Sequence, residues 1–328
     1  MVAYVIGLGS MGRRRIRLLL ENEGVTVVGI DTNPDRQAAA QAQFGIKTFG
    51  SIPAAAAVVR GDCAFVCTSP LSHAAIIHTC LSNDLHVFTE INLVADGYEE
   101  NMALAEERGR VLFLSSTSIY KAEQRHIIRR VEESRTPLNY IYHVGQYLPD
   151  WHPWESYRDF FVGDSRTNGC REIFAIELPW IVTAFGPVED VSVLKSKNSG
   201  LDIQYDDNYL VQFRHRSGAK GVFAVDVVTR KAVRRLEVYG EDLYLNWDGN
   251  AGLLTEYDIA AGKENQVILE SAEHAEGYAA FITENPYREE IKAFFEQVRH
   301  PEAPCKWDFR RDLDVLRVIN RIEGLDYE

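Results

Sequence analysis

The feature that most limits what this chain can fold into is Gly7-Leu8-Gly9-Ser10-Met11-Gly12, placed directly after the short apolar run Ala3-Tyr4-Val5-Ile6. A G-x-G-x-x-G motif between a strand and a helix assigns each glycine a task. The first makes a tight turn, the second lets the backbone approach a pyrophosphate, and the third lets helix and strand pack closely. The helix start then offers unpaired N–H groups to the phosphates, so Leu8, Ser10 and Met11 join the glycines as candidate cofactor contacts. Asp31 follows 19 residues beyond Gly12, at the end of the next apolar run, where a carboxylate can accept hydrogen bonds from both ribose hydroxyls. A carboxylate there repels a 2′-phosphate, which favours NAD over NADP. Arg36 works the other way, because it can swing over to such a phosphate, and NADP stays open. Arg13, Arg14 and Arg15 add positive charge near the pyrophosphate, at least one of them as part of a solvated helix face.

Around this motif the first third of the chain alternates short β-branched runs with helical patterns, the grammar of βαβ units and a parallel sheet. Strands are expected over residues 3–6, 25–30, 63–67, 86–89 and 111–114, and helices from about Gly12, over 35–44, 71–82 and 99–108. The pattern changes near residue 120. A helix over 122–135 leads into a strand over 140–147 and a long polar, aromatic loop. From 207 to 248, period-two runs are broken by turn signals such as Arg216-Ser217-Gly218 and Asp248-Gly249-Asn250, which reads as an antiparallel sheet. Helices over 286–298 and 309–322 finish the chain. The expectation is an α/β Rossmann domain with a parallel sheet over residues 1–119, followed by an α+β domain with an open, mainly antiparallel sheet over 120–328. The second domain would serve substrate binding and oligomerisation.

Composition narrows the partners. A net charge of −13 repels nucleic acid and anionic lipid, although a local arginine cluster can still hold an anionic small molecule. The opening apolar run is too short for a leader's hydrophobic region, and no stretch is long enough to span a bilayer. Five cysteines without metal-type pairing (Cys63, Cys67, Cys80, Cys170, Cys305) read as reduced thiols of a cytoplasmic protein. No His/Asp/Glu set has metal-ligand spacing, so no metal is expected.

The opening Gly-Leu-Gly-Ser-Met-Gly-Arg, the Thr68-Ser69-Pro70 turn followed by His73, and His86-Val87-Phe88-Thr89-Glu90 together resemble the Gfo/Idh/MocA oxidoreductases, named for glucose–fructose oxidoreductase and inositol dehydrogenase. The likeness runs over nearly the whole chain and includes the change of pattern near residue 120. It implies an NAD(P)-dependent enzyme acting on a sugar, polyol or nucleotide-linked sugar. It also implies cofactor contacts from Thr68, Ser69, Pro70 and His73, with Glu90 near the nicotinamide ribose. Two positions depart from the family pattern. Where the family carries Glu-Lys-Pro, this chain has Glu90-Ile91-Asn92. Where it carries Asp-x-x-x-His, this chain has Glu172 and Ile176, aligned by counting back from Phe185-Gly186. Oxidising an alcohol releases a proton as well as a hydride, and a positioned acid or base contributes typically 10²–10⁴-fold. Both usual proton handlers are replaced, so another group does this work or the chemistry differs.

The replacements are sought in residues 143–172, the densest mixture of aromatic, histidine and charged residues in the chain. The loop also resembles a subgroup associated with surface-polysaccharide sugar synthesis. His152, Tyr147, Tyr120 and Glu172 are the candidate catalytic groups; a turn cap, core packing and an ordinary first-turn carboxylate are the competing readings. Arg171, Arg158, Trp151 and Trp154 are the candidate substrate contacts, with surface salt bridges and packing as the alternatives. Cys170 has no obvious base beside it. Three readings follow: net hydride transfer, tightly held NAD used transiently for epimerisation or elimination, and a non-catalytic NAD-binding protein. The apolar residues Val222, Phe223, Val225 and Val227 on the open sheet point to burial in a homodimer or homotetramer.

Overall fold

The computed structural model describes residues 1–151, 155–250, 252–269 and 283–325. The chain divides into two compact units, one of residues 1–116 with 287–313, the other of residues 117–286 with 314 onward.

The first unit is built on β1 (Val2–Ile6), α1 (Ser10–Leu20), β2 (Thr26–Ile30), α2 (Pro34–Phe44), β3 (Lys47–Phe49), α3 (Ile52–Ala56), β4 (Cys63–Val66), α4 (His73–Ser82), β5 (His86–Thr89), α5 (Tyr98–Glu107) and β6 (Leu112–Leu114). Its six strands are all parallel, in the order β3-β2-β1-β4-β5-β6. This is the order of a doubly wound dinucleotide fold, with the reversal of direction beside β1. The sequence accounts for the local structure. β4 reads Cys-Ala-Phe-Val and is buried at all four positions, as a strand covered on both faces must be. Asn33 caps α2 by accepting from the N–H groups of Asp35 and Arg36, Pro34 opens the helix, and Gly45 closes it at φ 66°. The short pair β3 and α3 was not anticipated from sequence.

One sheet face is covered by a helix from far along the chain, α8 (Asn285–Arg299), the next-to-last helix. Phe65, Phe88 and Phe113 stack in sequence across β4, β5 and β6 with centroids 4.8 and 5.2 Å apart. Phe294 of α8 stands edge-on to all three at 5.3–5.8 Å. Phe294 is fully buried, and emptying such a position costs about 3–5 kcal/mol.

The second unit holds α6 (Ala122–Glu133), β7 (Asn139–Gly145), α7 (Gly169–Phe185), β8 (Val188–Ser196), β9 (Asn208–His215), β10 (Lys220–Asp226), β11 (Val233–Tyr239), β12 (Tyr244–Trp247), β13 (Leu254–Asp258), β14 (Lys263–Gln266) and most of α9 (Phe309–Glu323). The eight strands run β14-β13-β12-β11-β7-β10-β9-β8, and only the β7–β10 pairing is parallel. The sheet is thus mainly antiparallel, as expected, and wider than the 207–248 pattern indicated, because β8, β13 and β14 extend its edges.

One face of this sheet packs on α7. Tyr142 stacks on Phe223 at 5.0 Å and meets Trp180 edge-on at 5.5 Å, while Phe174 stands edge-on to Phe223 and Tyr209. A glycine inside β10 has a specific reason: a Cβ on Gly221 would fall 1.9 Å from the ring of Tyr140. The opposite face leaves Leu194 73%, Leu210 53%, Ile141 46% and Val222 39% exposed. This corrects the sequence reading of the open face. Phe223, Val225 and Val227 are fully buried; of the four residues named, Val222 alone is exposed. The run Val-Phe-Ala-Val-Asp-Val-Val has apolar residues at both parities, so its composition did not reveal which face it fills.

Candidate functional site: the dinucleotide cradle and the start of α7

In the first unit, the glycine motif does what its spacing requires. Gly7 sits at φ +90°, and a Cβ there would lie 2.8 Å from the carbonyl oxygen of Cys67. A Cβ on Gly12 would lie 1.9 Å from the carbonyl oxygen of Gly7. Gly9 differs from both: nothing lies within 4 Å of where its Cβ would be. Gly7 and Gly12 are therefore fixed by packing, and Gly9 leaves open space against the backbone. α1 begins there with no side-chain cap and no acidic residue in its first turn, which leaves its N–H groups and dipole to an anion. These features fit the pyrophosphate of a dinucleotide.

Asp31 is tied to that loop. Its Oδ2 accepts the Leu8 N–H at 2.8 Å and its Oδ1 accepts the Asn33 N–H at 2.8 Å, so each oxygen keeps a lone pair for a ribose hydroxyl. Arg36 lies 3.9 Å from Asp31 Oδ2 with its side chain mostly exposed.

Two of the three arginines expected near the pyrophosphate are engaged elsewhere. Arg15 is fully buried and bonds Glu90 at 2.6 Å and Glu290 at 2.8 Å. Arg14 is buried with its guanidinium over the Tyr287 ring, 4.6 Å from the centroid. The helix presents Arg13 to solvent and turns the next two residues inward. Glu90 has a structural partner that the sequence did not reveal, since both its oxygens are bonded by Arg15.

Beyond β4, the hydroxyls of Thr68 and Ser72 are bonded at 2.8 Å, and Pro70 is buried while Ser69 is exposed. His73 faces inward. Its Nε2 lies 2.9 Å from the Thr68 carbonyl oxygen and its Nδ1 2.6 Å from Asn92 Oδ1. Burial pushes this imidazole below its ordinary range, so it is neutral. A neutral ring donates through one nitrogen only. The Thr68 carbonyl oxygen and Asn92 Oδ1 are both acceptors, so the ring donates to one of them at a time. Both nitrogens are thereby used within the protein, and His73 acts by fixing the 68–73 turn.

The second unit holds the residues nominated for chemistry. Trp151 donates from Nε1 to the Gln146 carbonyl at 3.2 Å and packs close to Gly169 at the start of α7. Tyr147 lies under the guanidinium of Arg230, 3.9 Å from its centroid. Tyr120 is buried. Arg158 pairs with Asp202 at 3.2 Å on the surface. His152 and Trp154 lie outside the described residues.

Arg171 was expected to clamp a substrate anion, and its geometry corrects that. It is buried, ion-paired with Glu323 and bonded to Asn320 Oδ1 at 2.8 Å. Asn168, which caps α7 through the Arg171 N–H at 2.8 Å, also donates to Glu323 at 2.7 Å. This cluster binds the start of α7 to the end of α9.

Glu172 is the opposite case. It lies in the first turn of α7, and its Oε2 is buried without a hydrogen-bond partner among the described residues. Burial pushes its carboxyl up to about 8, so the group is protonated at neutral pH. Glu172 and Ile176 are the partly open positions in the first two turns of α7, whose other residues there are buried. Being four apart, they share one helix face. Ile176 adds no polar group, but its carbonyl accepts the Ser118 hydroxyl at 2.9 Å. The next residue, Glu177, is a buried hub: Arg234 at 2.7 Å, the Tyr142 hydroxyl at 2.7 Å and Trp180 Nε1 at 2.7 Å.

Sequence reasoning missed Lys121, whose ammonium is pushed down to about 8 by burial and then by the Arg234 charge; a single lysine ahead of a helix gives no signal by spacing. Burial pushes the Cys170 thiol upward, which opposes a nucleophilic role. Among the described residues no cluster of three or more His, Cys, Asp or Glu side chains is arranged for a metal, and no helix is long and apolar enough to cross a membrane.

Comparison with known proteins bears on both units. Residues 2–116 match the family model described as an oxidoreductase family with an NAD-binding Rossmann fold, Gfo/Idh/MocA. Among curated protein sequences none matches the chain. Among solved structures, UDP-N-acetylglucosamine 3-dehydrogenase GnnA from Acidithiobacillus ferrooxidans is similar at TM-score 0.79 and 16% identity, with 99% of this chain and 97% of that chain covered. The WlbA dehydrogenase from Bordetella pertussis, in complex with NADH and UDP-GlcNAcA, is similar at TM-score 0.78 and 16% identity, covering 99% and 95%. Biliverdin reductase from Synechocystis sp. PCC 6803, in complex with biliverdin and NADP+, is similar at TM-score 0.74 and 16% identity, covering 99% and 98%. At such identities the likeness is one of fold, and the same fold serves very different substrates. Residues 2–116, which carry the glycine cradle and Asp31, thus match the family model of the Gfo/Idh/MocA oxidoreductases with their NAD-binding Rossmann fold.

Proposed function

We propose that this protein is an NAD-dependent oxidoreductase of a sugar or nucleotide-linked sugar, with Glu172 as a neutral carboxylic acid that hydrogen-bonds the reacting hydroxyl or carbonyl oxygen. The observation that carries this reading is the Oε2 of Glu172, buried, protonated and without a partner among the described residues. A buried polar atom left unbonded costs on the order of 1–3 kcal/mol, and such groups concentrate at functional sites. NAD, held by the glycine loop and Asp31, supplies the hydride acceptor. Glu172, being protonated, donates rather than accepts and so orients the substrate oxygen. Tyr120, Tyr147 and Trp151 supply aromatic surface of the kind that sugars stack on, and His152 is a further candidate for the proton. Two proteins of similar fold carry UDP-sugars in their names or complexes, which makes that class the first to try.

The substrate-reading residues fall in 120–328, and the exposed face with Leu194, Leu210, Ile141 and Val222 supports pairing with further copies as a homodimer or homotetramer. Five free thiols fit a reducing cytoplasm.

The test begins by denaturing purified protein and identifying any released nucleotide by mass. Stripped protein is then titrated with NADH and NADPH by fluorescence, and NAD+ reduction at 340 nm is followed with UDP-N-acetylglucosamine and UDP-GlcNAcA. Saturable NADH binding with turnover abolished in Glu172→Ala supports the reading. Nucleotide released in stoichiometric amount with no net absorbance change moves the function to transient redox. Binding and turnover indifferent to Glu172 and His152 substitutions would remove the proposed site.

A further inference from the structure

We propose that Asn92 makes nucleotide binding proton-linked: His73, held between the Thr68 carbonyl oxygen and Asn92 Oδ1, takes up a proton from solvent when a dinucleotide settles on the glycine cradle. This rests on NAD binding, whatever the sugar, and every residue involved belongs to the first unit.

Asn92 stands where the family pattern has a proline, a residue with no polar side-chain atom. Its side chain meets His73, the first residue of α4. Nδ1 of the ring lies 2.6 Å from Asn92 Oδ1 and 3.3 Å from Thr89 Oγ1, and Nε2 lies 2.9 Å from the Thr68 carbonyl oxygen. The Thr89 hydroxyl gives its own hydrogen to the Glu90 carbonyl at 3.2 Å, so towards the ring it is an acceptor. Both ring nitrogens therefore face acceptors. A neutral imidazole has one N–H and serves one side only, whereas the imidazolium has two and serves both. His73, Asn92 and Thr89 are all buried, so bulk water does not stand in for the missing bond.

Burial is what keeps the second proton off, because it penalises the charged ring. The charges around the ring come close to balancing. Glu90, at the end of β5, favours the imidazolium, but both its oxygens are bonded by Arg15 of α1. The Cys67 thiol at the end of β4 is kept protonated by burial. From α5, Tyr98 gives its hydroxyl hydrogen to Asp312, and Glu99 and Glu100 are exposed, as is Asp96 before them. The hydrogen-bond geometry thus calls for a charged ring that the surroundings alone do not sustain.

A dinucleotide supplies what is missing. The Cys67 carbonyl oxygen and Thr68 Cγ2 lie 2.8 and 2.9 Å from where a Cβ on Gly7 would be. The residue that receives the Nε2 hydrogen is therefore packed on the first glycine of the cradle. A pyrophosphate seated there brings negative charge to that turn, and nearby negative charge favours the imidazolium. The proton goes to whichever ring nitrogen lacks one, and no other bond is broken. The charged ring then bonds Thr68 and Asn92 together, fixing the turn after β4 to the segment after β5. Asn92 is a positioning residue, acting on the nucleotide only through His73.

The experiment uses the full chain stripped of nucleotide. NADH is titrated calorimetrically between pH 6 and 8 in buffers of different ionisation enthalpy, which counts the protons taken up per nucleotide bound. An uptake of about half a proton or more is expected within that range, with affinity falling as pH rises by at most about tenfold per pH unit. His73→Gln is expected to remove the uptake and flatten the affinity profile. Histidine NMR gives a readout independent of binding heats. The protein has nine histidines, and the signal lost in His73→Gln identifies His73. In the parent at pH 7 that signal should move to the imidazolium position on adding NADH. Asn92→Ala should hold it at the neutral position with NADH bound, and Asn92→Asp should place it at the imidazolium position before any is added. If a variant fails to fold, the parent's His73 signal decides alone. Saturable NADH binding with an unmoved His73 signal overturns the proposal, and would mean that Asn92 turns its NH2 group to a neutral ring. Proton uptake that persists in His73→Gln overturns it as well. Absence of any NADH binding would instead overturn the cofactor reading, and the proton linkage with it.

Discussion

Arg15 Nη2 lies 2.8 Å from Glu290 Oε2, joining two fully buried side chains that are 275 positions apart in the sequence. The same guanidinium bonds Glu90, and Glu290 is also held by the Ser115 hydroxyl and by the Ser116 N–H at 2.7 Å. One positive charge is thus shared by two carboxyl groups, and burial with the nearby Glu90 charge pushes the Glu290 carboxyl upward. Removing the arginine leaves both acids enclosed without a counter-charge. Arg15→Met is expected to lose about 3–5 kcal/mol of stability, read as a fall in urea midpoint at pH 7. Glu290→Gln, which keeps a hydrogen-bonding group of the same size, should lose clearly less. Equal losses would mean that packing, and not charge, governs the cluster.

The nucleotide preference rests on Asp31 and Arg36. Asp31→Ser removes the acceptor for the ribose hydroxyls, loosens the tie to Leu8 and releases Arg36 from its acidic neighbour. NADH affinity is expected to fall at least tenfold, while NADPH loses less or gains. Fluorescence titration with both nucleotides measures the ratio, and an unchanged ratio would take Asp31 out of the discrimination.

Glu172 makes a prediction about stability and pH that needs no substrate. Its carboxyl titrates near 4.5 when the chain is unfolded and is pushed up to about 8 in the folded protein. Between these values the folded state holds a proton that the unfolded state has released. The stabilising contribution of the group is therefore complete below about 4.5 and is lost as pH rises through about 8. Glu172→Gln cannot titrate and should flatten that part of the curve. Tm measured from pH 5 to 9 should decline less in the variant than in the parent, and parallel curves would argue against a protonated Glu172. In turnover the amide still donates a hydrogen bond. Activity should then stay within about tenfold of the parent while any alkaline limb near 8 disappears.

His73 and Asn92 offer a local test. Asn92→Ala leaves His73 Nδ1 buried without its Oδ1 partner and should cost about 1–3 kcal/mol. Asn92→Asp supplies a carboxylate in place of the amide and should raise the imidazole pKa, followed by histidine NMR. An unmoved titration would separate the two residues.

How far the sequence could be read depended on whether the determining contact was local. The glycine cradle, β5 and β4 follow from spacing and from apolar runs over a few residues. Lys47-Thr48-Phe49 forms an edge strand of three residues, too short for a periodic signal. Arg14 and Arg15 resemble solvated helix residues until Tyr287, Glu90 and Glu290 are placed around them. Arg171 and Glu172 are neighbours that look alike as site residues. What divides them is Glu323, about 150 positions away, which pairs with Arg171, while Glu172 Oε2 has no partner among the described residues. Lys121 went unread for the same reason, because burial, and then the charge of Arg234 more than a hundred positions away, lowers its ammonium.

The first unit takes residues 287–313 as part of its body, and Phe294 closes the aromatic face of its sheet. Seen from the ribosome, this unit is interrupted. Its strands are complete once residue 116 has emerged, yet its last helix follows 197 residues after that point, counted to residue 313. At about 5–20 residues per second, the gap is roughly 10 to 40 s. Throughout that interval Phe65, Phe88 and Phe113 lack their cover and Arg15 lacks one of its two acids. A nascent chain in that state exposes aromatic surface, the kind of surface that makes partly folded chains prone to aggregation. The cradle for the nucleotide is thus synthesised well before residues 287–313, which close the body around it.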